Sequence, residues 1–402
     1  ECEIKCKYHC NDITMESVLM ELGLQSHLKN KLTLKSVLEL RKPSDEGQTA
    51  HSFTSLPWLF LRKLMMVNSS ARRIKCASKS NSETCKKKGI NIIKTSEDRK
   101  GINPLDLITA LFHCADPFLQ QEMALKMSTC QFAVPLLLPN CDTNECTLML
   151  WALRDITKQF RSHGLEENSI VLTDLPLISI VRLGKNSASK SEFLNKLLSN
   201  KQQNHETFVH WKLANGNVPR KICNGLVEIS CWYLPSGKET IDKFKEPVAM
   251  ANLRGDVSEF EVQFAFLSQT SSAVFLFCDD LDSNQAFLNS LQLRSKLVLV
   301  CTTNDQNSKK TWNKKAVAKI LADSSNVSIE KMSKIAPDLG IDVDENDGIC
   351  QNAKIKAVKI IKDIGNIPEY KMRELPLQGK PLKEICKLEK EMHRLKGTEK
   401  KH

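Results

Sequence analysis

The sequence of 402 residues predicts an α/β domain, a mostly parallel sheet with helices on both faces, preceded by a mainly helical region. After residue 170, short aliphatic runs alternate with segments of helical spacing, which is typical of a parallel sheet covered by helices. Over 13–40, apolar side chains recur every three or four residues, with a break near Gly23. We therefore predict a helical region at 1–165, an α/β domain at 170–332 and a Lys-rich helical connecting segment at 333–402.

The first region contains one segment that does not fit a helix. Residues 69–99 are polar and rich in Lys and Ser, so we predict a disordered insert there. The segment 103–139 predicts two helices, interrupted where Pro117 disfavours helix in the residue before it, and then a strand. Residues 146–160 predict either one helix or a strand followed by a helix. The polar link 161–169 predicts the domain boundary.

The α/β domain shows five runs of strand length and four segments of helical spacing. The predicted strands are 175–183, 225–233, 247–253, 273–278 and 296–301. The predicted helices are 190–198, 259–267, 284–291 and 313–321. A polar, turn-rich segment joins the second and third strands, which predicts an antiparallel hairpin at one edge of the sheet.

Composition excludes several classes of protein. The net charge is +11, but basic and acidic residues are interleaved and no basic stripe with aromatic residues occurs, so we expect no nucleic acid partner. The fifteen cysteines are scattered among apolar runs, which favours reduced thiols inside the cell over a disulfide scaffold. No apolar run is long enough to span a membrane. Because the chain begins with Glu1, we expect it to be part of a longer protein.

A phosphate-loop pattern follows the first strand of the α/β domain. Such a loop has Gly, four variable residues, Gly, Lys and Ser or Thr, because backbone amides, the Lys and the helix terminus bind phosphate while the hydroxyl binds Mg²⁺. The strand before it and the amphipathic helix after it are the context that the pattern requires. The candidate nucleotide-binding residues are Gly184, Lys185, Asn186, Ser187, Ala188, Ser189, Lys190, Ser191 and Glu192.

Ser189 stands where the pattern has its second glycine. A side chain there is unfavourable if the backbone needs a positive φ, so we expect weakened binding of phosphate. The same residues are equally compatible with a plain strand-to-helix turn, in which a Ser caps the helix and the Lys lies at the surface.

Later strand ends carry further candidates. Asn252 and Gly255, in NLRG, stand where a GTPase has Asp-x-x-Gly, whose Asp holds a Mg²⁺-bound water. Thr302 and Asp305 stand in the register of the base-reading element, whose carboxylate accepts from guanine. An acidic cluster that could approach Mg²⁺, or be a solvated loop, consists of Asp279, Asp280 and Asp282.

The first ten residues contain a possible metal-ligand set that lacks the paired spacing of zinc sites. It consists of Cys2, Cys6, His9 and Cys10. We find no compelling nucleophile–base or paired-carboxylate arrangement elsewhere.

Six longer blocks carry more information than these short motifs. They are DPFLQQEMALKMSTCQFAVPLLLP, CTLMLWALRDI, LPLISIVRLGK with SKSEFLN, GLVEISCWYLPSGKETIDKFKEPVAMANLRGD, FLSQTSSAVFLFCDDLD and LPLQGKPLKEICKLEKEMHRLK. Together they resemble the interferon-induced very large GTPase family, from the first helices to the last.

The resemblance implies a Ras-like P-loop guanine-nucleotide domain that binds GTP or GDP with Mg²⁺ and assembles into an oligomer through that domain. It also implies a location in the cytoplasm, and in the nucleus as well. Ser191 would bind Mg²⁺, and we select Thr207 as the candidate switch threonine. The substitutions at Ser189 and Asn252 leave two functions open: GTP binding with weak hydrolysis, and a nucleotide-free scaffold for interactions. An ATPase is a third reading if Asp305 does not read the base.

Overall fold

The computed structural model describes most of the chain. It covers residues 14–39, 49–50, 52–76, 101–160, 166–184, 188–199, 203–233, 244, 247–280, 285, 295–300, 326–375 and 377–393. The chain divides into two compact units, Glu1–Asn346 and Asp347–His402.

The first unit contains nine α-helices within its described residues. They are α1 Met15–Glu21, α2 Leu34–Leu38, α3 Leu56–Met65, α4 Pro104–Cys114, α5 Pro117–Thr129, α6 Leu150–Leu153, α7 Lys190–Leu198, α8 Glu261–Thr270 and α9 Ile329–Met332. The first strands are β1 Thr49–Ala50, β2 Lys75–Cys76, β3 Val134–Pro139, β4 Cys146–Leu148, β5 Thr157–Phe160 and β6 Glu166–Ser169. The later strands are β7 Leu177–Arg182, β8 Val227–Tyr233, β9 Val248–Leu253, β10 Ala273–Phe277, β11 Lys296–Val300 and β12 Asp342–Val343.

Local signals set the helix ends in the first region. The predicted break at Gly23 is confirmed, because this residue has a φ of +66° after α1 ends. Asp116 caps α5 by accepting from the amide of Leu119 at 2.7 Å, and Pro117 fills the first helical position, where no amide donor is needed. The predicted interruption between α4 and α5 is therefore confirmed.

Eight strands form one mixed sheet. Their order is β11, β10, β7, β9, β8, β3, β4 and β12. β7 lies inside the sheet and pairs in parallel with both β9 and β10, and β10 pairs in parallel with β11. The predicted antiparallel pairing of β8 with β9 is confirmed. Its predicted place at an edge is wrong, because β8 also pairs with β3 and the sheet continues through β4 to β12.

The sheet crosses both predicted domain boundaries. β3 and β4 come from the predicted helical region, and β12 comes from the predicted connecting segment. All six residues of β3 are buried, so this strand belongs to the interior of the sheet. The predicted polar link at 161–169 includes β6, which pairs with β5 as a two-stranded hairpin. In the structure, all of these elements therefore lie in one compact unit.

Helices cover both faces of the sheet, as predicted. One face packs against α7 and contributes Ile178, Ile180, Met250, Phe275 and Phe277 to a core with Leu194 and Leu198. The opposite face contributes Leu177, Val181, Val274 and Leu276 to a larger core that includes Leu267 of α8. The alternation along β7 and β10 follows from the two-residue period of a strand.

The first part of the predicted disordered insert, residues 69–76, is ordered. Residues Ser69–Arg73 form a 3-10 helix, and the Asn68 side chain caps it by accepting from the Ser70 amide at 2.9 Å. Ala71 and Ile74 are buried despite the polar residues around them, which explains why composition alone misassigned the segment. The rest of the predicted insert, from residue 77, lies outside the described residues.

The second unit is helical in its described part. It consists of α10 Gly348–Ile364, α11 Ile367–Glu374 and α12 Lys380–Met392. The helix predicted in the Lys-rich segment PLKEICKLEKEMHRLKG is α12. Among the described residues, no helix combines the length and the hydropathy needed to cross a membrane.

Candidate phosphate-binding site

The candidate site lies where β7 ends and α7 begins. Gly184 has a φ of +71°, a conformation that favours glycine, and its amide donates to Oδ2 of Asp256 at 2.7 Å. Asp256 follows β9, so this hydrogen bond joins the turn after β7 to the NLRG segment. Residues Lys185, Asn186 and Ser187 of the predicted loop lie outside the described residues.

Ser189 is not strained in the place of the expected glycine. Its φ is −83° and its ψ is 108°, which any L residue adopts readily. Its hydroxyl caps α7 by accepting from the amide of Glu192 at 3.3 Å. The predicted steric cost of the Ser189 side chain is therefore absent in this conformation. The helix cap that the alternative interpretation, a plain strand-to-helix turn, assigns to a Ser is present.

Lys190 is partly buried and lies against the NLRG segment. Its Nζ donates to the carbonyl oxygens of Leu253 at 2.6 Å and Gly255 at 3.2 Å. Burial lowers the pKa of Lys190 well below its usual value, and the nearby charges of Arg182, Arg254 and Arg220 lower it further. The ammonium group therefore lies among cations, and an anion beside it would stabilise its charged form.

Ser191 lies next to two N–H donors. Its Oγ accepts from Nη1 of Arg254 at 2.7 Å and from Nδ2 of Asn252 at 3.2 Å. Ser191 is buried, and so are both of its partners. Ser191, the predicted Mg²⁺ ligand, is thus in contact with Asn252, which stands in the place of the GTPase Asp. The contact is made by the neutral side-chain amide of Asn252.

Arg254 links this cluster to the sheet. Its Nε pairs with Oε2 of Glu228 on β8 at 2.5 Å, and its Nη1 also donates to the carbonyl of Val209 at 3.0 Å. The side chains of Arg254 and Glu228 are only 6% and 3% exposed. Its Nη2 is buried and has no acceptor within the described part of the chain. The guanidinium is therefore held in place while one of its nitrogens still has no acceptor.

A cavity of about 270 Å³ opens beside these residues. Four cationic side chains line it: Arg182, Lys190, Arg220 and Arg254. Its other described lining residues are Asn103, Leu105, Ala188, Ser189, Ser191, Val209, His210, Trp211, Gly216 and Gly255, so no carboxylate is among them. The volume is below the usual range for a complete small-molecule site, and it suits part of a ligand that is rich in anionic oxygens.

Helix α4 positions the wall of the cavity that contains Arg220. The buried carboxylate of Asp106 accepts from the amides of Lys221, Ile222 and Cys223 at 2.9, 2.9 and 3.0 Å. Asn103 reaches the same loop through its Nδ2, which donates to the carbonyl of Val218 at 2.7 Å. The site therefore depends on a helix that the sequence assigned to a separate region.

The residues present do not fit a Mg²⁺ site. Mg²⁺ requires a near-octahedral set of oxygens, but both lone pairs of the Ser191 hydroxyl already accept N–H donors. Oδ1 of Asn252 is buried without a donor in the described structure, yet it is a single neutral oxygen. Thr207 does not line the cavity, and its carbonyl accepts from Arg72 and from the amide of Ala133.

Other predicted residues point elsewhere or lie outside the described residues. Glu192 forms ion pairs with Lys212 at 2.7 Å and Lys196 at 3.0 Å, which lower its pKa to about 2, and it does not line the cavity. No group of three or more His, Cys, Asp or Glu side chains in the described ranges could hold a metal. The predicted residues that lie outside those ranges are Thr302, Asp305, Asp282, Cys2, Cys6, His9 and Cys10.

Sequence reasoning identified Lys190 but missed the three arginines of the site. Arg254 occupies a variable position of the NLRG segment, and Arg182 and Arg220 belong to no phosphate-loop motif. One signal was available: Arg182 is a charged residue at the end of an otherwise apolar strand, directly before the turn. The buried partners of this cluster, Glu228 and Asp106, lie too far away in sequence for spacing to connect them.

Comparisons with known proteins identify the family of this chain. The family model described as the up-regulator of cell proliferation-like domain matches residues 102–324, and the model of the N-terminal domain of the same family matches residues 15–89. The chain belongs to this family. The matched domain contains α4 and the turn after β7 together, whereas the boundary that we predicted at 165–170 divides it.

The relatives confirm the resemblance to very large GTPases. The mouse up-regulator of cell proliferation is 34% identical over 95% of this chain and 48% of its own length. Human interferon-induced very large GTPase 1 is 28% identical over 94% of this chain and 18% of its own length. Human caspase recruitment domain-containing protein 6 is 40% identical over 59% of this chain and 24% of its own length. The chain spans about half the length of the up-regulators that it matches. No solved structure matches it.

Proposed function

We propose that this chain binds a guanine nucleotide through its phosphate groups, in the cavity at the end of β7. The observation that carries the proposal is the group of four cationic side chains, Arg182, Lys190, Arg220 and Arg254, around a cavity with no carboxylate among its described lining residues. Arg and Lys at a helix N-terminus are the groups that recognise phosphate oxygens.

The topology supports a Ras-like nucleotide domain. β7 has parallel neighbours on both sides, and the chain continues first to β8 and β9 on one side and then to β10 and β11 on the other. In open α/β sheets, ligands bind at the carboxyl ends of the strands where the strand order changes side. The candidate site is at that point of this sheet.

The preference for guanine is inferred from two sources. One relative is named a GTPase, and Thr302 and Asp305 stand in the register of a guanine-reading element. Hydrolysis has less support, because Asn252 stands where a GTPase has the carboxylate that holds a Mg²⁺-bound water. We therefore propose binding with slow turnover of GTP or none.

The competing function is a scaffold that binds no nucleotide. The observation that favours it is that Lys190 and Ser191 already have protein partners, Lys190 with two carbonyls and Ser191 with Arg254. In the nucleotide-binding protein, phosphate oxygens would replace the two carbonyls as acceptors for Lys190. In the scaffold, these bonds would be permanent.

A nucleotide titration separates the two functions. The chain is titrated with GTP, GDP and ATP, each with Mg²⁺ and with EDTA, by isothermal calorimetry and in thermal melts. GTP and GDP should bind and should raise the Tm of the chain, because a ligand of the folded state stabilises that state. Lys190→Met should abolish binding, whereas the control Lys196→Met, which removes an exposed Lys on the same helix, should leave it unchanged. No heat and no shift with any nucleotide would favour the scaffold. Tighter binding of ATP than of GTP would contradict the guanine preference.

We further propose a cytoplasmic and nuclear location and assembly through the nucleotide domain, as the resemblance implies. Light scattering of the chain with and without GTP tests this assembly. The molar mass should be larger when nucleotide is bound.

A further inference from the structure

We propose that Arg254 takes the place of Mg²⁺ in this site, so that the chain binds nucleotide phosphates without a metal ion. The inference rests on the proposed function and concerns the same cavity. Its starting point is the disagreement between the Mg²⁺ that the family resemblance implies and the donor set around Ser191.

The hydroxyl of Ser191 is occupied by nitrogen donors. Nη1 of Arg254 lies 2.7 Å from Oγ, and Nδ2 of Asn252 lies 3.2 Å from it. A hydroxyl oxygen has two lone pairs, and a metal ion would need one of them. Mg²⁺ could bind here only by displacing one of these two buried donors, and it would then lie close to the positive charge of the guanidinium.

Glu228 fixes the guanidinium at this point. The carboxylate accepts from Nε of Arg254, and both side chains are almost completely buried. Arginine keeps its charge at any ordinary pH and presents a planar set of donors that matches phosphate oxygens. The positive charge next to Ser191 therefore belongs to the folded chain and needs no cation from solution.

Two buried donors without acceptors show what kind of ligand the cavity would take. Nη2 of Arg254 and Nε of Arg182 are both buried and have no hydrogen-bond acceptor within the described part of the chain, and both side chains line the cavity. A buried donor without an acceptor is costly. An anion with several oxygens, such as a di- or triphosphate, would supply acceptors for both, whereas a metal ion would supply none.

The test compares nucleotide affinity with and without Mg²⁺. Titration of the chain with GDP and GTP, in excess EDTA and in excess MgCl₂, should give dissociation constants within about threefold of each other. Binding at least about tenfold tighter with Mg²⁺ would overturn this inference and leave the proposed function in place. Absence of binding under both conditions would overturn the proposed function itself, and this inference with it.

Variants then assign the effect to the guanidinium. Arg254→Met alone would leave Glu228 buried and unpaired, so the informative variant combines Arg254→Met with Glu228→Gln. In EDTA, this double variant should bind GDP at least about tenfold more weakly than Glu228→Gln alone, which retains Arg254 and so separates the loss of the guanidinium from the loss of the carboxylate. Circular dichroism and Tm establish that both variants fold. Unchanged GDP affinity of the folded double variant in EDTA would overturn the role of Arg254.

Discussion

Asp256 accepts the amide proton of Gly184 at 2.7 Å, and this bond joins the loop after β9 to the turn after β7. A second bond, from the amide of Val257 to the carbonyl of Arg182 at 2.9 Å, lies beside it. The two loops that line the candidate site are therefore connected directly. A ligand that moves one of them would also move the other.

Replacement of Asp256 by Ala should uncouple these loops. The variant removes the acceptor for Gly184 and also the acceptor for the amide and hydroxyl of Ser258, so we expect the free energy of unfolding to fall by about 2 kcal/mol. Urea denaturation measures this loss. The control Glu259→Ala removes an exposed carboxylate from the same loop and should change stability by less than about 0.5 kcal/mol. Equal effects of the two variants would show that the link carries no special stability.

Gly255 allows a close approach that no other residue would permit. Its φ is +102°, and a Cβ at this position would overlap Cε2 of Phe260. Gly255→Ala should therefore lower the free energy of unfolding by about 3 kcal/mol or more, because backbone strain and a steric clash add. Gly340→Ala is the matched control, since Gly340 has a φ of +70° but nothing within 4 Å of its Cβ position, and it should cost only about 1 kcal/mol. Similar losses in the two variants would exclude a contribution from Phe260.

Asp344 should make stability depend on pH in the opposite direction to most carboxylates. Burial, with a smaller contribution from Glu345, raises the pKa of Asp344 to about 6, although the amides of Trp151 and Ala152 stabilise its charge. Between its ordinary pKa of 3.8 and about 6, the folded state retains a proton that the unfolded state has lost. The contribution of Asp344 therefore falls as pH rises through this window, by up to about 3 kcal/mol.

Asp344→Asn isolates this effect, because Asn is nearly isosteric and neutral at every pH. Relative to the unchanged chain, the stability of the variant should rise between pH 4 and pH 7, by up to about 3 kcal/mol less the weakened hydrogen bonds. Urea denaturation of both proteins across this range measures the difference, in which the other titrating groups cancel. A difference that is constant with pH, or that falls, would contradict a raised pKa at Asp344.

Local patterns predicted the described elements of the α/β domain well, because strand and helix signals are contained within a few residues, whereas the helices predicted at 284–291 and 313–321 fall almost wholly outside the described residues. The helix predicted at 190–198 is α7, and the strand predicted at 247–253 is β9 less one residue. The placement of β3 beside β8 could not be predicted, since it depends on pairing between strands almost one hundred residues apart. The same limit hid the cluster of Ser191, Arg254 and Glu228, whose members come from α7, from the loop after β9 and from β8.

Lys190 should couple nucleotide binding to proton uptake. Burial and the nearby charges of Arg182, Arg254 and Arg220 lower the pKa of Lys190 in the free protein, and bound phosphate would raise it again by supplying negative charge. In the pH window between the lowered and the restored pKa, binding takes up a proton, so affinity should fall as pH rises, by at most about tenfold per pH unit. In the absence of nucleotide, the unfolded chain binds more protons at Lys190 than the folded chain does between the lowered pKa and the ordinary pKa of 10.5, so this group's contribution to stability rises with pH through that window. GDP titrations across about pH 7 to 9 measure the effect on affinity, and Lys190→Arg is the comparison, because its guanidinium keeps its charge. Protonation of GDP itself is common to both proteins and cancels, so the same pH dependence in both would show that Lys190 does not exchange a proton on binding.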